Sequence, residues 1–227
     1  VHYVERKPHA MRESVGRIIE TLRSVRKQKK IFLFLIAFFF FIDGVYTIID
    51  MATAYGSALG LDSTGLLLAL LVTQFVAFPF SILFGRLAEK YDTGKLILTC
   101  IAAYMGITVF AVFMKAQWQF WVLAIFVGMF QGGIQALSRS YFAKIVPPER
   151  SGEYFGLMDI CGKGASFMGT TVVGLASQAF GSINIGVSAI VFLFLAGALF
   201  FMKTAHSGSE STKNQENIVM GQQMFHD

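Results

Sequence analysis

Long apolar runs, each interrupted by a short polar or charged gap, fill the chain from Ile31 to Met202. A helix needs about 20 such residues to cross a bilayer. Six runs qualify: Ile31 to Leu59, Ser63 to Leu87, Leu96 to Met114, Phe120 to Val146, Tyr154 to Phe180 and Ile185 to Met202. Several exceed the minimum, which implies tilt or ends that project into water. The gaps are short, so consecutive helices should be antiparallel neighbours. The pattern predicts an all-α membrane protein built as a six-transmembrane-helix bundle over 31–203.

The flanks read differently. In ESVGRIIETLRSVRKQKK, Val15, Ile18, Leu22 and Val25 recur at helical spacing, with Arg17, Arg23, Arg26 and Lys27 largely elsewhere around the wheel. Residues 1–30 therefore suit a basic amphipathic helix on an anionic leaflet, or equally a solvated linker helix before the first span. The tail over 204–227, with SGSESTKNQEN, is polar enough to be disordered.

Composition agrees with the pattern. With 55% hydrophobic residues and 24 Phe, and a mean hydropathy of +0.59, the chain is too oily for an ordinary soluble domain. The net charge of +5 would suggest nucleic acid only if it were spread over a surface, but nine of the 19 Lys and Arg fall within residues 6–30. No nucleic-acid partner is expected. Apart from Arg139 and Lys163 inside the runs, the remaining basic residues sit at Arg86, Lys90 and Lys95, at Lys144 and Arg150, and from Lys203 on, alternating with gaps near Asp62, Lys115 and Ser182. By the positive-inside rule both termini should be cytoplasmic, with Lys115 the exception. Cys100 and Cys161 lie in separate apolar runs and read as packing residues. No short apolar stretch ending in a small-residue cleavage site precedes Ile31, so no signal peptide is expected. The chain, opening on Val1, reads as a piece of something longer.

Ionisable groups inside a membrane are costly, and they often mark a pathway. In the first run Asp43 and Asp50 are seven residues apart, with Tyr46 and Thr47 on the same side. Counting from Ile31 places Asp43 roughly 18 Å deep, near the midplane. Burial there disfavours the charged form, so Asp43 could carry a proton; it could also simply hydrogen-bond a neighbouring helix. In the fifth run Asp159 and Lys163 are four apart and can pair on one face. The fourth run ends in QGGIQALSRSYFAK, which gathers Gln131, Gln135, Ser138 and Arg139 on one side. Arg139 and Asp159 should lie at similar depth. An interhelical Arg139–Asp159 pair is expected, in competition with Asp159–Lys163, and such an exchange of partners would be a two-state element. Arg139 could instead snorkel to the inner surface. Gly128, Gly132 and Gly133 should let another helix come close. The second run adds Gln74 and a kink at Pro79.

His2, His9, His206 and His226 all lie in the flanks, which leaves no intramembrane His dyad, His-ligated metal or haem site. There is no phosphate loop and no HExxH. No enzyme activity, metal or other cofactor is expected.

The turn GRLAEKYDTGK resembles the loop signature that follows the second helix of each half of the major facilitator superfamily, with Gly85, Leu87, Ala88, Glu89 and Lys90 matching in type. Asp92 stands where that family usually has glycine. Together with FFFFIDGVYTI, MATAYGSALGLDSTGLLLALLVTQFVAFPFSILFG and QGGIQALSRSYFAKIVPPERSGEYFGLMDICGK, the chain over about 31–202 resembles the second half of the vacuole effluxer-like major facilitators. These are related to fungal vacuolar proteins implicated in amino-acid efflux during autophagy. The resemblance implies that the spans are helices seven to twelve of a twelve-helix transporter, partnered by an N-terminal six-helix half. Residues 1–30 would end its central cytoplasmic loop. It also implies that Asp43 and Gln131 face the solute cavity, with Asp159 and Lys163 behind or beside it. The expected function is alternating-access secondary transport of a small polar solute, amino acids and proton coupling being the forms implied, in the plasma membrane rather than the vacuole. Alternatively the chain is a non-transporting membrane module that binds a partner or anionic lipid. A passive channel would need a continuous polar stripe, and Phe and Leu interrupt the polar clusters.

Overall fold

The computed structural model describes residues 20–223, with side chains described through Thr204. A short helical stretch over 20–27, α1, comes first. It is followed by α2 (Lys29–Ala58), α3 (Ser63–Lys90), α4 (Thr93–Val112), α5 (Gln117–Ile145), a 3-10 turn (Pro148–Arg150), α6 (Ser151–Phe180) and α7 (Ile183–Gln223). Each break has a local cause. Asp62 caps α3 by accepting from the Gly65 N–H at 2.7 Å, and Asp92 caps α4 by accepting from the Lys95 N–H at 2.9 Å. Both satisfy donors that a helix start leaves orphaned. Ahead of α5, Gln119 Oε1 accepts from the Lys115 and Ala116 N–H groups. Gly181, at φ +65, supplies the left-handed residue that ends α6.

Among the described residues, five helices are long and apolar enough to cross a bilayer: α2, α3, α4, α5 and the Ile183–Thr204 part of α7. Five of the six expected spans thus meet the requirement of length and apolarity, and one does not. The exception is α6, which has 30 residues but lacks the apolarity, because Asp159, Lys163, several glycines and a Ser/Thr-rich stretch replace aliphatic side chains. It nevertheless packs against both α2 and α7. At its far end α7 continues as helix to Gln223, over the polar stretch for which the sequence alone suggests disorder. Extending an existing helix requires no new nucleus.

The most extensive packing joins α3 to α5 and α2 to α7, with α4 against α5 and α7. At the heart of the bundle Phe34 of α2 stacks on Tyr141 and Phe142 of α5, centroids 5.3 Å apart in each case. Tyr104 of α4 stacks on Phe194 of α7. On the other side α3 holds on by a narrow strip, and Phe75 and Phe78 point away from the bundle. That strip depends on the glycines of α5. A Cβ at Gly128 would lie 2.6 Å from the Thr73 carbonyl oxygen, and one at Gly132 would overlap that of Ala77. Both obstacles are backbone and cannot rotate aside, so Gly132→Ala must push α3 from α5. We expect it to cost about 1–3 kcal/mol. Thermal unfolding of the purified protein should register this as a lower Tm, whereas Gly85→Ala, inside α3 with nothing within 4 Å of its Cβ, should not lower Tm and should raise it slightly through its better helix propensity.

The first half of the expected amphipathic face, Val15 and Ile18, lies outside the described residues. Of the second half, Val25 is buried and Leu22 is exposed. Besides Val25, which joins the core, polar contacts hold this stretch. Thr21 Oγ1 donates to Glu153 Oε2 at 2.9 Å, and Gln28 Nε2 donates to Tyr154 Oη at 3.2 Å. The stretch is thereby tied to the start of α6.

Candidate functional site

Three helices turn polar side chains toward one recess. On α2, Tyr46 follows Ile42 and Phe38 at one-turn intervals; α5 supplies Gln135 and Arg139, and α6 supplies Asp159 and Lys163, each pair at i, i+4 and hence on one face. Together with Met158 and Gly162 they enclose a cavity of about 110 Å³. Within it Arg139 Nη2 donates to Asp159 Oδ1 at 2.8 Å. This is the interhelical pair that the matching depths predict. The competing Asp159–Lys163 pair is not made, and Lys163 lines the same cavity without an ion-pair partner among the described residues.

Magnitude indicates what the Arg139–Asp159 pair is for. The two side chains remain 58% and 49% exposed. A pair this open contributes only about 0–1 kcal/mol to stability, so fastening α5 to α6 is a poor account of it. Two cations and one carboxylate line the recess, leaving a net positive charge on its wall. That surface is complementary to an anionic group.

Behind the cavity, Asp43 is fully buried. Its Oδ1 accepts from the Gly169 N–H of α6 at 2.8 Å and from Thr47 Oγ1 at 3.4 Å. Its Oδ2 is enclosed with no hydrogen-bond partner. Position 169 must be glycine for this contact: a Cβ there would overlap both Thr47 Oγ1 and Asp43 Oδ1. Further along α2, Asp50 Oδ2 accepts from Ser166 Oγ at 2.6 Å. Both acids of α2 therefore face α6, and neither lines the cavity in which Tyr46 sits.

The remaining candidates fall outside that recess. Gln74 is exposed on α3 and borders a small apolar recess beside Thr73. Gln131 lies one turn before Gln135, yet it does not line the cavity, and its Oε1 is buried without a partner. Gly85, Glu89 and Lys90 are exposed near the end of α3. Sequence reasoning gave no weight to Ser166, nor to the Gly169 N–H as a partner of Asp43. The seven-residue spacing of Gly162 and Gly169, two turns on one face of α6, was the available signal.

A family model described as vacuole effluxer Atg22 like matches residues 3–213. An uncharacterised MFS-type transporter, YxiO, from Bacillus subtilis (strain 168) is 43% identical over 216 residues, which is 95% of this chain and 50% of that protein. Autophagy-related protein 22-2 of Aspergillus niger is 24% identical over 220 residues, 89% of this chain and 37% of the relative. Autophagy-related protein 22 of Cryptococcus neoformans is 26% identical over 198 residues, with 80% and 35% covered. The chain spans about half the length of the bacterial relative and less of the fungal ones.

Proposed function

The chain belongs to the vacuole effluxer Atg22-like family, and from that premise we propose that it is the C-terminal six-helix half of a twelve-helix major facilitator transporter for a small zwitterionic solute of the amino-acid class. In this reading α6 is a span as well, the fifth in chain order, tolerated in lipid because its polar face turns toward the cavity rather than the hydrocarbon. Both termini are cytoplasmic, as the basic gaps indicate.

The cavity of Tyr46, Gln135, Arg139, Asp159 and Lys163 carries the proposal. An amino acid presents one carboxylate and one ammonium group. Lys163, with no ion-pair partner among the described residues, offers its charge to the first; when Arg139 releases Asp159, Arg139 turns to the same carboxylate and Asp159 offers its own charge to the ammonium group. Exchange of Asp159 between Arg139 and solute or Lys163 gives the wall two arrangements, as alternating access requires. The N-terminal half completes the cavity from the opposite side. Asp43, one turn from Tyr46 and with an unpartnered carboxylate oxygen, is the proton-binding group that couples transport to a pH gradient.

A ligand-stabilisation screen of the full-length protein tests this reading, using amino acids, sugars and nucleosides across pH. Amino acids should raise Tm in a saturable way, by the linkage of binding to the folded state, and sugars and nucleosides should not. A flat response to every amino acid removes the solute class.

A further inference from the structure

A second recess lies on the other side of α6. It is a groove of about 670 Å³ between α1, α2 and α6, walled by Phe32, Leu35, Ile36, Phe39 and Leu157, with Arg23 and Arg26 of α1 also lining it. Its volume falls in the ~300–1,000 Å³ range of small-ligand sites. At about 100° per residue, Leu157 and Cys161 stand roughly 160° around α6 from Asp159. The groove therefore opens away from the solute cavity.

Its chemistry is divided along its length. One end is an apolar trough along α2, partly open at Phe32. The other is covered by α1, whose Arg23 and Arg26 are exposed and one turn apart, so both guanidinium groups can reach one ligand. The α1 stretch is held in place by the Thr21–Glu153 and Gln28–Tyr154 bonds, so its arginines are presented on a fixed support. Guanidinium groups pair with phosphate in a bidentate manner. Two phosphate-binding cations at the head of an apolar trough, at the membrane surface, match the division of an anionic phospholipid into headgroup and acyl chain.

We propose that this groove binds one anionic phospholipid, its phosphate held by Arg23 and Arg26 and an acyl chain laid along Phe32, Leu35, Ile36 and Phe39. The site does not depend on the transport reading. It is separate from a general attraction of the basic segment to the membrane, because Lys27 and Lys29 carry the same charge without lining the groove. Through the α1–α6 bonds, an occupied groove also steadies the helix that bears Asp159 and Lys163.

The test is retention of lipid by the full-length protein in detergent, measured by native mass spectrometry after addition of equal phosphatidylglycerol and phosphatidylcholine. Wild type should retain phosphatidylglycerol on the order of tenfold better. The Arg23→Ala/Arg26→Ala variant should lose that preference, while Lys27→Ala/Lys29→Ala keeps it within about twofold. Ile36→Trp, filling the trough from a partly buried position, should lower retention of phosphatidylglycerol without touching the arginines. The proposal is overturned if wild type shows no preference, or if both double variants lose it equally, as a diffuse basic surface would. It is also overturned if glycerol phosphate alone displaces the lipid, which would mean that the trough contributes nothing.

Discussion

Asn in place of Asp43 is expected to abolish proton-driven accumulation of solute by the full-length transporter while leaving solute-for-solute exchange intact. One proton moved per solute across one pH unit supplies about 1.4 kcal/mol, enough for roughly tenfold accumulation. The variant should therefore fall to no accumulation at all under a one-unit gradient in proteoliposomes. The fold should survive, because the amide oxygen still accepts from the Gly169 N–H that Asp43 Oδ1 engages at 2.8 Å. The new amide nitrogen takes the place of an oxygen that already has no partner, so no further buried group is orphaned by the change. A Tm close to that of wild type with normal exchange fits. Undiminished proton-driven uptake would falsify Asp43 as the coupling group.

Arg139→Ala is expected to cut transport about 10- to 100-fold, the loss that follows from removing one charge-assisted contact worth about 1.5–3 kcal/mol. Its effect on stability should be small by comparison. The pair with Asp159 is half exposed on both sides, and an open pair contributes no more than about 1 kcal/mol. The two readouts thus separate: initial uptake rates in proteoliposomes fall, and Tm of the purified protein hardly moves. A structural clamp would give the reverse, a lower Tm with transport preserved in whatever protein remains folded. Reversing the pair, Arg139→Asp with Asp159→Arg, should restore the contact between α5 and α6 but not transport, because the positive charge then stands on the wrong helix for the solute.

The helices were legible because lipid imposes a simple rule on sequence. A run such as Ile31 to Leu59 has no other good home, and α2 covers Lys29–Ala58. The failure of the fifth run on apolarity has the same origin: α6 places Asp159 and Lys163 on the recess and Ser166 against Asp50 of α2, so composition understates it, while the resemblance through SGEYFGLMDICGK reads it directly. Side-chain pairs at matched depth were also readable, and Arg139–Asp159 is one. Backbone partners were not. Nothing in the residue types announces that Asp43 accepts from the N–H of Gly169, since a main-chain donor has no letter of its own. The glycines of QGGIQ signalled that some helix comes close, and only the packing identifies it as α3, through Thr73 and Ala77. Gln131 shows the limit of periodicity: one turn from Gln135 on the same helix, it does not line the cavity, and its Oε1 is buried instead.

The central claim is that the recess between α2, α5 and α6 binds the solute through its charged wall. Its most direct test is amino-acid affinity, read from saturable thermal stabilisation of full-length wild type and Arg139→Ala side by side. The account predicts a dissociation constant about 10- to 100-fold weaker in the variant, with an unchanged Tm in the absence of ligand. Wild-type affinity in Arg139→Ala would contradict it.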